Sequence, residues 1–252
     1  MTTDSICYKR TFLTSVIARV DFPSPIGQLE KQLPDALSKA VMKAFPIAEP
    51  RPAFAQKVQI SPTGGVQQQE RSEFTEWRFH GRNREKTFTI VPAAVFVEYK
   101  TYTSYEALKE EFLEVLSRFL ELYKDRQGSR LGLRYINNIE LPGRDPFAWK
   151  QLLNKNMLSL FDLYPDRRVI SRAFHNLELN FGDFNLRYQF GMHNPDYPAP
   201  IRKKIYVLDL DAYCEGPQEL ADIPDSLDAF HARIQEIFES SITNEFRRVM
   251  NA

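Results

Sequence analysis

Asp209 and Asp211 lie two residues apart in the segment Leu208-Asp209-Leu210-Asp211. In a strand that spacing puts both carboxylates on one face, where a pair can hold Mg²⁺ or divide into acid and base. No third metal ligand is evident from spacing, and the same two residues would serve equally as partners for arginines on a neighbouring strand. Arg130, Gly132 and Arg134 form the second constellation. Two planar guanidinium groups flank a glycine gap, a layout suited to a carboxylate or phosphate. The competing expectation is that both arginines pair with Asp or Glu across the sheet while Gly132 makes room for an aromatic ring. Asn137 and Asn138, just beyond, are expected to end that strand as turn formers.

Other chemistry finds little support. A thiol nucleophile needs a histidine beside a cysteine, and a zinc site needs several converging ligands. Cys7 is placed at a strand entrance, Cys214 in a loop, and His80, His175, His193 and His231 follow no ligand spacing. His231 is expected to be a packing or capping residue of the last helix. No Walker A loop, GxGxxG or GxSxG motif occurs, and no cofactor is implied. Two basic runs, Arg82-Asn83-Arg84-Glu85-Lys86 and Arg202-Lys203-Lys204, each precede the last strand expected in a half of the chain. Paired in that way, Arg84, Lys86, Lys203 and Lys204 would grip a phosphate backbone from equivalent positions. The loop Asn194-Pro195-Asp196-Tyr197-Pro198-Ala199-Pro200 offers Tyr197 as an exposed contact residue.

Thirty-three Lys and Arg balance thirty-three Asp and Glu, so bulk charge draws the chain to neither nucleic acid nor an anionic membrane. Two distant cysteines suit a reducing compartment. MTTDSICYKR has no apolar leader core, and no run of about eighteen apolar residues occurs. A soluble cytoplasmic protein is expected.

The elements follow from periodicity and breakers. Strands are expected at 8–22, 53–61, 68–80 and 87–103, with a turn at Thr63-Gly64-Gly65. Helices are expected at 29–45, with Pro34 as an internal blemish, and at 104–124. The second half repeats the pattern: strand 130–141, helix 146–163, strands 169–181, 184–192 and 203–210, and a closing helix 226–250. Alternation sets Arg130, Gly132 and Arg134 against Leu131, Leu133 and Tyr135. It also sets Glu76, Arg78 and His80 against Thr75, Trp77 and Phe79.

The two long helices match at a constant offset of 122: Ser104 with Ser226, Leu108 with Phe230, Phe112 with Ile234, Val115 with Ile237, Leu116 with Phe238 and Leu120 with Ile242. A weaker match sets Trp77-Arg78-Phe79 against Tyr188-Gln189-Phe190. The expected fold is therefore α+β, an internal duplication of a β-α-β-β-β-α unit over residues 1–126 and 127–252. Its curved antiparallel sheet would carry the helices on one face and leave the other open. That order resembles the duplicated saddle of the TATA-binding protein fold, a likeness of topology without function.

The segment Arg130-Leu131-Gly132-Leu133-Arg134-Tyr135-Ile136-Asn137-Asn138-Ile139 resembles the R-x-G-L-R-Y-I-N-x-I signature of a sporadically distributed, functionally uncharacterised bacterial protein family. Trp77-Arg78-Phe79, Tyr102-Thr103-Ser104-Tyr105-Glu106, Leu208-Asp209-Leu210-Asp211 and His231 to Phe238 agree in order. The resemblance carries no activity, cofactor or catalytic residue, and its patchy distribution points to mobile or defence-linked genes. The expectation that follows is a non-catalytic binding or regulatory module. It would engage a partner protein of its own gene system through the open sheet face or the proline loop, with a homodimer as a further possibility. A nucleic-acid-binding saddle and a carboxylate- or metal-dependent enzyme are the alternatives.

Overall fold

The computed structural model describes residues 8–60 and 66–252, and leaves the side chains of 55–71 undescribed. Cys7 and the Thr63-Gly64-Gly65 turn lie outside the described residues. The strands are β1 (Leu13–Asp21), β2 (Ile47–Ala48), β3 (Arg51–Ile60), β4 (Val66–His80), β5 (Lys86–Val91), β6 (Ala94–Tyr99), β7 (Gly128–Glu140), β8 (Ala173–Asn180), β9 (Asn185–Met192) and β10 (Ile205–Gln218). The α-helices are α1 (Asp35–Met42), α2 (Tyr105–Leu122), α3 (Ile223–Ser241) and α4 (Asn244–Asn251).

The ten strands form one antiparallel sheet in the order β2-β4-β5-β6-β1-β7-β10-β9-β8, with β3 pairing β4. The two halves of the chain thus share a continuous sheet, joined at its centre where β1 pairs β7 with Ala18 opposite Leu133 and Arg19 opposite Gly132. On either side of that seam the order reads alike. β6, β5 and β4 run outward from β1 as β10, β9 and β8 run outward from β7.

Alternation decides which face is covered. Val16, Ala18 and Val20, then Leu131, Leu133 and Tyr135, then Leu208, Leu210 and Ala212 are buried on one side, with α2 and α3 packed against it. Tyr105, Leu108, Phe112, Val115, Leu116 and Phe119 of α2 complete the core with Ile223, Leu227, Phe230 and Ile234 of α3. Each such side chain contributes about 1.5–3 kcal/mol by leaving water. Ser104 caps α2, its hydroxyl accepting from the Ala107 amide at 3.2 Å.

Several expectations are corrected. Pro34 precedes α1 instead of interrupting it, because a proline lacks the amide a helix interior requires. The expected strand 87–103 is a hairpin, β5 and β6, turned at Pro92-Ala93. The expected helix 146–163 is a run of turns ending in a 3₁₀ segment, Lys155–Asp162, opened by Asn154, whose side chain accepts from the Asn156 amide. Strand 169–181 is shortened to β8 by a 3₁₀ turn at Arg167–Val169. The closing helix begins earlier, at Ile223, which removes Ser226 from the capping position. It breaks at Ile242-Thr243, where Thr243 caps α4 through the Phe246 amide at 3.3 Å. Cys214 lies in β10, half-buried, and not in a loop.

Candidate functional site

On the open face β7 and β10 run side by side, setting Arg134 opposite Asp211, Ile136 opposite Asp209 and Gly132 opposite Tyr213. All five candidates of the sequence constellations meet here. Arg134 grips Asp209 with two parallel bonds, Nε to Oδ1 at 2.8 Å and Nη2 to Oδ2 at 2.5 Å. Arg130 reaches Asp211 at 3.3 Å and Asp21 at 3.8 Å, and its guanidinium lies 4.8 Å from the centre of the Tyr213 ring. Arg19 holds Asp21 on β1, and Arg187 of β9 holds Glu178 of β8 at 2.7 Å. Burial pushes the Asp211 carboxyl above the usual carboxylate range, against the pull of Arg130, Arg134 and Arg187. Gly132 makes room not for an aromatic ring but for Arg130 itself: a Cβ at Gly132 would stand 2.8 Å from the Arg130 Nη1.

This lattice is closed chemistry. Each guanidinium named has a carboxylate, and Asp209 is only 8% exposed beneath Arg134. Among the described residues no three His, Cys, Asp or Glu side chains come together to hold a metal.

The basic runs do not occupy equivalent sites. Arg82 to Lys86 turns from β4 to β5, whereas Arg202 to Lys204 leads from β9 into β10, and the topological counterpart of that second turn is the β5–β6 turn. Arg84, Lys86 and Lys204 are also engaged locally, whereas Arg202 and Lys203 are exposed. Arg84 binds Glu49 at 2.6 Å, Lys86 reaches Glu111 and lies over the Phe45 ring, and Lys204 lies 5.1 Å from the Trp149 ring centre. Arg51 and Arg84 together hold the Glu49 carboxyl down at about 2. Arg78 of β4 pairs with Glu76 on the same face. The weaker repeat match sets Trp77-Arg78-Phe79 of β4 against β9, whose counterpart across the seam is β5, so it falls between unlike strands.

The other face of the same two strands carries what the sequence reading missed. Tyr135 and Asn137 of β7 and Leu210 of β10 point toward α3 and line a pocket of about 230 Å³ with Phe12, Leu13, Tyr102, His231 and Phe238. The Tyr102 and Tyr135 hydroxyls lie 3.1 Å apart, and the Tyr135 hydroxyl lies 3.0 Å from His231 Nδ1. His231 stacks on Tyr105, ring centroids 4.0 Å apart, and Tyr105 donates to Asp228 at 2.7 Å. Burial pushes the imidazole below the usual histidine range, so it is neutral at physiological pH. Tyr102, Tyr135, Asn137, Leu210 and His231, distant along the chain, converge at this point. Asn137 is 4% exposed and not a turn former, and its carboxamide has no hydrogen-bond partner among the described residues. The available signal was a polar residue on the buried stripe of β7, in line with Leu131, Leu133 and Tyr135.

No family model matches the chain, and no curated protein matches it.

At the far end of the sheet β8 pairs only with β9 among the described residues, and its outer edge is uncovered. Phe174 and Leu177 are exposed there, and the strand carries neither proline nor lysine. The proline loop is moored beside its start. The Ile201 amide donates to the Ile170 carbonyl at 2.9 Å, and the Asn194 side chain donates to the Ser171 carbonyl at 3.0 Å. Tyr197 is 54% exposed, with the Arg172 guanidinium 4.1 Å from its ring centre. Tyr164 and Val169, also exposed, fall in the segment leading into β8.

Proposed function

We propose that this chain is a non-catalytic binding module that engages a partner protein of its own gene system through the β8 edge and the Tyr197 loop. The observation that carries the reading is an eight-residue edge strand with unpaired backbone groups, exposed Phe174 and Leu177, and an exposed tyrosine moored beside it. Main-chain pairing would supply affinity, and the side chains specificity. A bacterial, mobile or defence-linked system is the setting that the family resemblance suggests, and a cytoplasmic location suits it. The same-ordered halves and the helix pairs Leu108 with Phe230 and Phe112 with Ile234, all buried, support the further proposal that the chain arose by duplication. The nucleic-acid reading is weaker, because the arginines of the open face are neutralised by carboxylates at hydrogen-bonding distance.

The test is capture of the tagged chain from its native cell, with and without nuclease, alongside Phe174→Lys/Leu177→Lys. A stoichiometric, nuclease-resistant partner that the double variant loses is the expected result. A partner retained by the double variant, or material that vanishes with nuclease, overturns the reading.

A further inference from the structure

The pocket between β7, β10 and α3 is roofed by the segment leading into β1. Tyr8 donates to Glu239 Oε1 at 2.7 Å, the Arg10 amide donates to the Met250 carbonyl at 2.8 Å, and the Phe12 carbonyl accepts from the Asn138 amide at 2.9 Å. The volume beneath is walled by Phe12, Leu13, Leu210 and Phe238. Its polar groups are mostly committed. Tyr135 is engaged by Tyr102 and His231, and the two Glu239 oxygens are taken by Tyr8 and Arg247.

Two groups are exceptions: His231, whose buried Nε2 has no hydrogen-bond partner among the described residues, and Asn137, a buried side chain lining this space whose carboxamide donor and acceptor are both unused among them. A buried amide left unmet costs about 1–3 kcal/mol. A ligand that pairs with it in two-point fashion recovers that cost. We infer that the pocket is a binding site for a small, uncharged, mainly apolar molecule presenting an amide- or lactam-type edge to Asn137. The charge follows from the absence of an uncommitted buried ion among the described lining residues, and the apolar body from the walls. The edge follows from the adjacent N–H₂ and C=O of the carboxamide.

The test is an NMR titration of the full chain with 2-quinolone and with quinoline, which has the same rings but no lactam edge. The expected result is that 2-quinolone moves the Asn137 side-chain amide signals and binds about tenfold tighter than quinoline, the worth of roughly 1.4 kcal/mol. Asn137→Leu abolishes that preference, and Asn138→Leu, on the opposite face, keeps it. Phe238→Trp, which fills the volume and leaves Asn137 in place, blocks both probes and covers the case in which Asn137→Leu fails to fold. No shift with 2-quinolone up to millimolar concentration, or a preference unchanged in Asn137→Leu, overturns the inference.

Discussion

The two faces of β7 and β10 solve opposite problems with the same backbone. On the open face four arginines and their carboxylates saturate one another, although water is close at hand. On the helix face the buried Asn137 carboxamide and the buried His231 Nε2 lack partners among the described residues, beside a tyrosine–tyrosine–histidine chain. A satisfied lattice on a surface speaks for shape and rigidity. An unsatisfied polar group in a pocket costs stability and calls for an explanation, of which a bound ligand is one.

The largest effect expected from disturbing this contrast is at Asp209. Asp209→Ala leaves Arg134 without its bidentate partner and should lower stability by about 2 kcal/mol. That is less than the roughly 3–5 kcal/mol of a fully buried pair, because Arg134 is 40% exposed and screened by water. Urea denaturation measures it, and Arg134→Met/Asp209→Leu should recover most of the loss. Asn137→Leu should act in the opposite direction, raising stability by about 1 kcal/mol through removal of an unmet amide. A loss of that size in thermal unfolding would mean that Asn137 is satisfied in solution.

The histidines give a smaller, pH-dependent signature. Burial holds His231, His80 and His175 below the usual histidine value of 6.5. The unfolded chain therefore takes up protons first as pH falls through 6.5, and folding stability declines in that window. Denaturation midpoints at pH 7.5 and 5.5 should differ in that sense, and His231→Gln should shrink the difference. Smallest of all is Gly132→Ala. Its Cβ displaces only the flexible end of Arg130, so a loss below about 0.5 kcal/mol is expected, and a larger one would mean that Arg130 is held more rigidly than its exposure implies.

The α+β class, the central helix with its Ser104 cap and the facing of Arg130, Arg134, Asp209 and Asp211 were legible because period-two alternation and cap chemistry are local. What was not legible depended on tertiary partners. Pro92-Ala93 turns a hairpin that periodicity merged into one strand. Asn154 and its surroundings hold residues 146–163 in turns where a helix opened by Pro146 was expected. The pocket brings together Tyr102, Tyr135 and His231 from distant segments, and no spacing along the chain encodes that meeting. Only Asn137, a polar residue in an apolar stripe, left a mark in the sequence.

The most direct measurement of the proposed function is amide hydrogen exchange across β8, with the chain alone and with its captured partner bound. Strand addition predicts that the outward-facing amides of Ala173–Asn180 are free to exchange in the chain alone and become strongly protected in the complex, while β7 is unchanged. Equal exchange from β8 in both states, with a partner demonstrably bound, would contradict the account.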